Sequence, residues 1–248
     1  MSTRPARQPA DESVETGVCS DIGRVRQKNM DAVLVVPPVF AVADGMGGMP
    51  AGEVASNLAL ESIKFQLTRP PRTAAELRQA LETANRDVLA AAEQKPEWLG
   101  MGTTLTALVI QPTRTLIAHI GDSRAYLLRG GRLKQLTADH SYVAELVRQG
   151  QLTAGEARLH PHRNMLTRAL GNQPEIAVDT GSHPLKPGDA LILCTDGLTG
   201  LLSDGEIAET ADRAPSAQAA AERLVEAANA RGGPDNITAV VVRLGGAT

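Results

Sequence analysis

The sequence predicts an α+β fold. Short apolar segments that read as strands come in runs, and so do the helical segments, without the strict strand–helix alternation of a doubly wound parallel sheet. The chain has 248 residues, of which 42% are hydrophobic, a size that suits one large domain or two small ones. Because neither an internal repeat nor an interdomain linker is visible, we expect a single domain over residues 15–245, preceded by a disordered tail over residues 1–14.

Periodicity and turn residues divide this domain into elements. Thr73-Ala74-Ala75-Glu76 and Ser203-Asp204-Gly205-Glu206 fit capping boxes at helix starts, and Gly130-Gly131 fits a hairpin turn. Helices are expected over residues 51–67, 73–93, 141–149, 203–212 and 216–230. Strands are expected near residues 15–20, 32–36, 39–43, 103–110, 115–120, 124–128, 132–136, 175–180, 190–194 and 237–243.

One stretch interrupts the series of strands. Residues from about 140 to 172 are polar and mixed in character, with a single short helical pattern. We interpret this stretch as an insertion and call residues 140–172 the flap.

Four aspartates lie at the ends of predicted strands. Asp44 ends one strand and is followed by glycines, which let a metal or a phosphate approach the backbone closely. Asp122 and Asp196 follow two other strands, and Asp235 precedes the last one. Because an antiparallel strand that starts with Asp lies level with neighbours that end with Asp, we expect the four carboxylates to meet at one edge of a sheet. Such a cluster is unfavourable unless cations neutralise it, so the sequence predicts binding of hard divalent metals.

Composition excludes several classes of function. A net charge of −3 gives no basic field for nucleic acid, and an aromatic content of 2% argues against base-stacking platforms. The longest apolar run, over residues 32–43, is broken by two prolines and is too short to cross a bilayer. With no hydrophobic signal segment at the N-terminus, we expect a cytoplasmic protein without membrane contact, in which Cys19 and Cys194 are free thiols.

The five histidines are not expected to be catalytic. We expect His119 to lie in the core or on a sheet face, because its strand is apolar. His183 is expected in a loop before a proline. His140, His160 and His162 are expected to be solvated residues of the flap or its border.

Eight short segments carry a further pattern. They are Ser20–Asp31, Phe40–Gly48, Gly102–Thr104, Ile120–Arg124, Leu136–Ser141, Leu166–Gly171, Cys194–Leu198 and Gly233–Thr238. Their order along the chain resembles that of the motifs of the metal-dependent protein phosphatases, the protein phosphatase 2C-like or PPM family, in its compact bacterial form. The resemblance covers about residues 15–243.

The resemblance implies a fold and an activity. The fold is a central β-sandwich of two antiparallel sheets flanked by α-helices on both sides, with the active site in a channel at one end. The activity is hydrolysis of phosphoserine and phosphothreonine in proteins by a hydroxide that bridges two metal ions. The implied partners are phosphoprotein substrates and a bacterial serine/threonine kinase whose action the enzyme opposes. A monomer is the expected oligomeric state.

The resemblance also assigns roles to residues. Asp44 would bridge two Mn²⁺ or Mg²⁺ ions, the Gly45 carbonyl would bind the second ion, and Asp196 and Asp235 would complete the first site. Asp122 would help to hold a third, weaker ion, together with Asp196. Two residues would act beyond direct metal binding. Arg26 would hold the substrate phosphate in a fork geometry, and Asp31 would act on the metals through a water molecule.

Two residues depart from the family pattern. Met30 stands where relatives usually have Glu or Gln, which order a metal-bound water, whereas a thioether accepts hydrogen bonds only weakly. Met46 stands where many eukaryotic relatives have a histidine that protonates the leaving group, so the general acid is unassigned and a metal-bound water is the expectation.

Two alternatives remain open. The first is a catalytically weak or inactive relative that acts as a binding module, for which Met30 is the support. The second is a nucleotide-binding enzyme, because a glycine-rich stretch over residues 45–50 follows a strand and precedes a helix.

Overall fold

Two five-stranded antiparallel sheets form the centre of the protein in this computed structural model, which describes residues 14–46, 49, 51–67 and 69–245. The strands are β1 (Val14–Asp21), β2 (Asp31–Val36), β3 (Val39–Asp44), β4 (Leu105–Gln111), β5 (Arg114–Ile120), β6 (Arg124–Arg129), β7 (Arg132–Gln135), β8 (Asp179–Pro184), β9 (Ala190–Cys194) and β10 (Ile237–Leu244). The first sheet has the order β1-β10-β9-β6-β7, and the second has the order β2-β3-β4-β5-β8. The expected antiparallel sandwich is confirmed.

The helices lie outside the sheets. They are α1 (Gly52–Gln66), α2 (Ala74–Gln94), α3 (Tyr142–Arg148), α4 (Ala154–Leu159), α5 (Asp196–Thr199), α6 (Asp204–Arg213) and α7 (Ala217–Ala230), with a short 3₁₀ helix at Pro96–Trp98. Among the described helices, none combines the length and the apolar composition needed to cross a bilayer.

Strand β3 shows how the layers are built. Successive side chains of a strand point to opposite faces, so Phe40 and Val42 pack in the core between the two sheets, whereas Ala41 and Ala43 pack against α1 and α2. A third core lies on the other side of the sandwich, where β9 and β10 contact α6 and α7. The result is four layers in the order helix, sheet, sheet, helix.

Most predicted elements are found within a few residues of their expected bounds. Pro37-Pro38 joins β2 and β3 as expected, and Gly130 and Gly131 form the β6–β7 turn with φ of +55° and +73°. The capping box at Ser203 is present. The one predicted at Thr73 is half formed, because Thr73 accepts the Glu76 amide whereas the Glu76 carboxylate accepts the amide of Arg72 instead.

The strand expected near residues 175–180 is displaced. Strand β8 covers Asp179–Pro184, so His183 lies in a strand and not in a loop. The register explains the displacement, because Asp179 pairs with His119 near the end of β5. Beyond that point the chain turns away at Gly121, whose φ is +110°, and leaves residues 175–178 without a strand to pair with.

The first strand and the flap each differ slightly from the sequence prediction. Strand β1 begins at Val14, one residue inside the stretch predicted as a tail, and residues 1–13 lie outside the described residues. The flap contains the expected helix as α3 and a second helix, α4, that was not predicted. Cys19 and Cys194 are both free.

Candidate metal centre

The four aspartates singled out in the sequence lie at one end of the sandwich. Asp44 ends β3 of the second sheet, and Asp122 lies in the turn that joins β5 of the second sheet to β6 of the first. Asp196 follows β9 and Asp235 precedes β10, so both belong to the first sheet. The expectation that they share one edge of a single sheet is therefore wrong, because the cluster is divided between two sheets that face each other.

Mutual repulsion in this cluster is visible in the pKa values. Burial raises the pKa of Asp44 well above its ordinary value, and the charges of Asp31, Asp196, Asp122 and Asp235 raise it further. Burial and the charge of Asp196 raise the pKa of Asp122 in the same way. For Asp196, whose carboxyl lies within hydrogen-bonding reach of Asp44, burial and the charge of Asp235 raise the pKa. The carboxylates are thus close enough to oppose one another's ionisation.

Asp31 lies directly opposite Asp44 in the β2–β3 register. The hydroxyls of Thr195 and Thr238 donate to its Oδ2 at 2.8 Å and 2.7 Å. Its Oδ1 is buried and has no hydrogen-bond partner among the described residues. Burial raises the pKa of Asp31 to about 7, against which the two threonine hydrogen bonds act. Asp31, which lies opposite Asp44, therefore has one buried oxygen that no described residue engages.

The backbone at Asp44 is held by the Gly102–Thr104 segment. The Asp44 amide donates to Thr104 Oγ1 at 2.9 Å, and the Asp44 carbonyl accepts from Thr104 N and Thr103 Oγ1, each at 2.9 Å. Thr104 Oγ1 also lies 2.8 Å from Ser123 Oγ, beside Asp122. These contacts fix two aspartates of the cluster relative to each other.

Close backbone packing requires glycine beside two of the aspartates. A Cβ on Gly45 would lie 2.3 Å from the Gly52 carbonyl oxygen, and a Cβ on Gly197 would lie 1.9 Å from the Asn236 carbonyl oxygen. Both distances are far below van der Waals contact. The glycines that follow Asp44 and Asp196 are therefore determined by packing.

Arg26 reaches the cluster from the β1–β2 loop. Its Nη2 donates to Asp235 Oδ2 at 2.7 Å, and the Arg26 and Asp235 side chains are 34% and 25% exposed. The guanidinium therefore lies at the edge of the cluster and partly neutralises it.

Asn236 is a residue whose importance sequence reasoning missed. It is 2% exposed, and its Nδ2 donates to the carbonyls of Ile22 and Lys28 at 3.0 Å and 2.9 Å. Its Oδ1 accepts the Met30 amide at 2.8 Å. One amide side chain thus fixes the loop that carries Arg26. An asparagine beside a candidate metal ligand was the available signal.

His140 contradicts the expectation of a solvated residue. It is 2% exposed, and burial lowers its pKa. His119 is a buried sheet residue as predicted, since it is 1% exposed and its ring lies 4.9 Å from that of His140. His160 and His162 lie in the flap near Tyr142, with ring centroids 6.0 Å and 6.2 Å from that of the tyrosine.

The donor set fits hard divalent cations. Carboxylate and carbonyl oxygens are the ligands that Mg²⁺ and Mn²⁺ prefer, and the unpartnered Asp31 oxygen and the raised carboxyl pKa values both favour a cation at this position. Within the described ranges, no three His, Cys, Asp or Glu side chains form a ready-made metal site.

This chain is similar to known proteins over most of its length. Residues 19–239 match the family described as Protein phosphatase 2C. A serine/threonine phosphatase, Stp, of Listeria monocytogenes is 39% identical over 234 residues, which cover 90% of this chain and 93% of that protein.

Two solved structures extend the similarity to the fold. The crystal structure of the Mycobacterium tuberculosis serine/threonine phosphatase PstP/Ppp has a TM-score of 0.88 and 40% identity, and the match covers 94% of this chain and 99% of that one. The structure of the PstP catalytic domain in complex with two manganese ions has a TM-score of 0.86 and 38% identity, with 94% and 98% of the chains covered.

Proposed function

This chain belongs to the protein phosphatase 2C family and is a serine/threonine protein phosphatase, and we propose that its reaction depends on Mn²⁺ or Mg²⁺ held by the carboxylate cluster. The observation that carries the proposal is the convergence of aspartates from both sheets beside an arginine, with the pKa raised at Asp44, Asp122 and Asp196. A cluster of this kind needs cations, and an arginine at its edge suits a phosphate.

The proposed ligands are the residues that match the metal-binding positions of the family. Asp44 would bridge two ions, with the Gly45 carbonyl on the second and Asp196 and Asp235 on the first. Asp122 would help Asp196 to hold a third, weaker ion. When bound, such ions supply an activated water and neutralise charge on the phosphoryl oxygens.

The remaining residues would position these groups and the substrate. Arg26 would bind the substrate phosphate, because a guanidinium has five donors and the bond to Asp235 uses one nitrogen. Asp31, held by Thr195 and Thr238, would act through its free oxygen on water near the ions. Met46 has no proton to donate, and its sulfur accepts from Asn172 Nδ2 at 3.7 Å, so it is not the general acid.

We extend the proposal to the cellular setting. The substrates would be proteins phosphorylated on serine or threonine, and the partner would be a serine/threonine kinase of the same cell whose products this enzyme reverses. Two free thiols fit a reducing, cytoplasmic location. The acidic net charge of −3 speaks against nucleic acid as a partner, and the enzyme would act as a monomer.

The test is hydrolysis of p-nitrophenyl phosphate and of a phosphothreonine peptide, with Mn²⁺ and Mg²⁺ titrated after chelation. We expect metal-dependent turnover of both substrates and its loss in Asp44→Asn, since removing a bridging ligand disrupts both ions. Asp212→Asn is the matched control, because Asp212 is an exposed aspartate on α6. Full activity of Asp44→Asn at saturating Mn²⁺ would refute the bridging role.

The alternative function is that of a binding module without turnover. Met30 supports it, because its sulfur packs near the start of α1, 3.1 Å from the position of a Cβ on Gly52, and is a poor hydrogen-bond acceptor. A folded protein that hydrolyses neither substrate at any metal concentration would favour this alternative. Membership in a phosphatase family favours the enzyme over both the binding module and a nucleotide-binding enzyme.

A further inference from the structure

Gly121 and His140 exchange two hydrogen bonds next to Asp122. The His140 amide donates to the Gly121 carbonyl at 2.7 Å, and the Gly121 amide donates to His140 Nδ1 at 3.2 Å. Gly121 has a φ of +110°, and a Cβ there would lie 2.5 Å from the Thr104 side chain. The backbone before Asp122 therefore follows a path that only glycine tolerates, and one residue holds both of its polar groups.

The His140 ring is itself held from its other side. Because Nδ1 accepts the Gly121 amide, the ring proton lies on Nε2, which faces Asp179 Oδ2 at 3.2 Å. Arg168 Nη1 donates to Asp179 Oδ1 at 3.1 Å and so fixes that carboxylate. A histidine with one nitrogen on a backbone amide and the other on a carboxylate has a defined tautomer and orientation.

The residue after Asp122 is fixed as well. Ser123 Oγ lies 2.8 Å from Thr104 Oγ1, and the Ser123 carbonyl accepts from Thr106 Oγ1 at 3.1 Å. With both neighbours held, the Asp122 carboxylate has a restricted range of directions.

The same histidine joins the flap to this turn. His140 is the first residue of the flap, and its carbonyl accepts the Thr167 amide at 2.9 Å, so the two ends of the flap meet there. Arg168, from the closing end of the flap, contacts Asp179 on β8. The root of the flap and the Asp122 turn thus share one hydrogen-bonded unit.

We propose that His140 is a positioning residue: its imidazole, oriented by Asp179, holds the Gly121 peptide so that Asp122 can help to bind the third, weaker cation. This inference rests on the proposed metal-dependent function. A purely structural role would require only a side chain that fills the space, whereas burial of a polar ring is unfavourable unless its hydrogen bonds are made.

The experiment measures Mn²⁺ binding to the full chain by isothermal titration calorimetry, without substrate. We expect the wild type to bind two ions tightly and one weakly. Asp122→Asn should lose the weak ion, and His140→Ala should weaken it about three- to tenfold, the effect of losing one hydrogen bond. The affinity of the two tight ions should not change in either variant.

Matched substitutions separate positioning from folding. In His140→Asn, Oδ1 lies near the place of Nδ1 and can accept the Gly121 amide, so weak binding should be rescued. In His140→Gln, the longer side chain reaches toward Asp179 and leaves the Gly121 amide unpaired. This variant should therefore bind the weak ion as poorly as His140→Ala does. His183→Ala removes a histidine from β8 in the same sheet and should bind all ions as the wild type does.

Each outcome decides the question. A third ion bound equally well by His140→Ala and by the wild type would overturn the inference, as would a wild type that binds only two ions. If His140→Asn and His140→Ala both bound the tight ions and the weak ion with equally reduced affinity, His140 would have a general structural role, and the inference would be overturned too. A wild type that binds no Mn²⁺ would instead reject the proposed function itself.

Discussion

Arg26 is the residue whose contacts connect the candidate metal centre to a substrate. It is one-third exposed, so a ligand in solvent can reach it, and its bond to Asp235 holds it beside the cluster. Arg26 lies in the β1–β2 loop, and the Asn236 side chain fixes this loop by binding its carbonyls. Asp235, the ion-pair partner of Arg26, is held in place by strand β10, which begins two residues later. The arginine is therefore directed by the same segment that supplies a candidate metal ligand.

Replacement of Arg26 tests this role. Arg26→Ala should lower kcat/KM by roughly ten- to 150-fold, because a charge-assisted hydrogen bond to phosphate contributes about 1.5–3 kcal/mol. Arg26→Lys should recover only part of the loss, since an ammonium lacks the planar fork. Steady-state kinetics on a phosphothreonine peptide provide the measurement. A normal kcat/KM in Arg26→Ala would move the phosphate-binding group elsewhere.

His119 provides a prediction about pH. Burial lowers its pKa from 6.5 to about 4, so the folded state favours the neutral ring. The stability that this contributes is present above pH 6.5 and is lost as the pH falls toward 4. Between pH 8 and pH 5 the free energy of unfolding should fall by about 2 kcal/mol through this group. Urea unfolding of the wild type and of His119→Asn at both pH values measures the difference, which should be smaller in the variant.

The aspartates could be predicted from the sequence because each lies at the end of an apolar strand, a pattern visible without tertiary contacts. Asn236 and His140 could not be understood in this way. Asn236 matters because it binds residues more than a hundred positions away in the sequence. His140 matters because folding brings it against the turn at Gly121. The burial of His140 was predicted wrongly because its neighbours in sequence are polar.

At the scale of elements, β1 and α7 are packed unusually closely. A Cβ on Gly17 would lie 2.2 Å from the backbone carbonyl of Ala217, at the start of α7. The helix can rest on the strand only because this position has no side chain. Gly205, within α6, has no atom within 4 Å of an added Cβ. Neither glycine has a positive φ, so packing decides whether a Cβ is tolerated at each position.

Alanine substitutions at these two glycines should therefore change the free energy of unfolding in opposite directions. Gly17→Ala should destabilise the protein by about 1–3 kcal/mol or more, as overpacking forces α7 away from β1. Gly205→Ala should stabilise it by about 0.4–1 kcal/mol, because alanine loses less conformational freedom on folding. Chemical denaturation of both variants beside the wild type measures the two effects. Equal stability of Gly17→Ala and the wild type would show that the strand and helix separate without cost.

Elements were predicted well where local patterns decide them and poorly where pairing decides them. The Ser203 capping box formed as its local pattern predicts, whereas the box predicted at Thr73 formed only in part. Strand β8 was displaced because its bounds depend on where β5 ends. Residues 175–178 alternate between exposed and less exposed positions like a strand, yet they lack a neighbour to bond with.

At the scale of the whole molecule, the candidate metal centre lies across the interface of the two sheets. Asp44 belongs to a strand of one sheet, Asp196 and Asp235 lie next to strands of the other, and Asp122 lies in the β5–β6 turn that connects the two. Their repulsion acts to separate the sheets at this end of the sandwich. Cations bound between them would join the sheets, so metal binding and stability should be linked.

Addition of Mn²⁺ should therefore raise the melting temperature of the whole chain. At a free Mn²⁺ concentration of a hundred times the dissociation constant, one bound ion stabilises the folded state by about 2.7 kcal/mol. For a chain of this size, that corresponds to an increase in the melting temperature of roughly 5–10 °C. Asp44→Asn should lose most of the increase, and Asp212→Asn should keep it. Calorimetry in Mn²⁺ and in a chelator measures the shift. An equal increase in Asp44→Asn would place the stabilising ion elsewhere.

The sequence by itself determined the fold class, the family and the set of acidic residues, because apolar periodicity and motif order are local properties of the chain. Only the tertiary structure decided that the aspartates are brought together from both sheets, that no described residue engages one Asp31 oxygen, and that His140 holds the Gly121 peptide before Asp122. These features arise from contacts between distant segments, and the distances and burial that create them exist only after the sheets have packed.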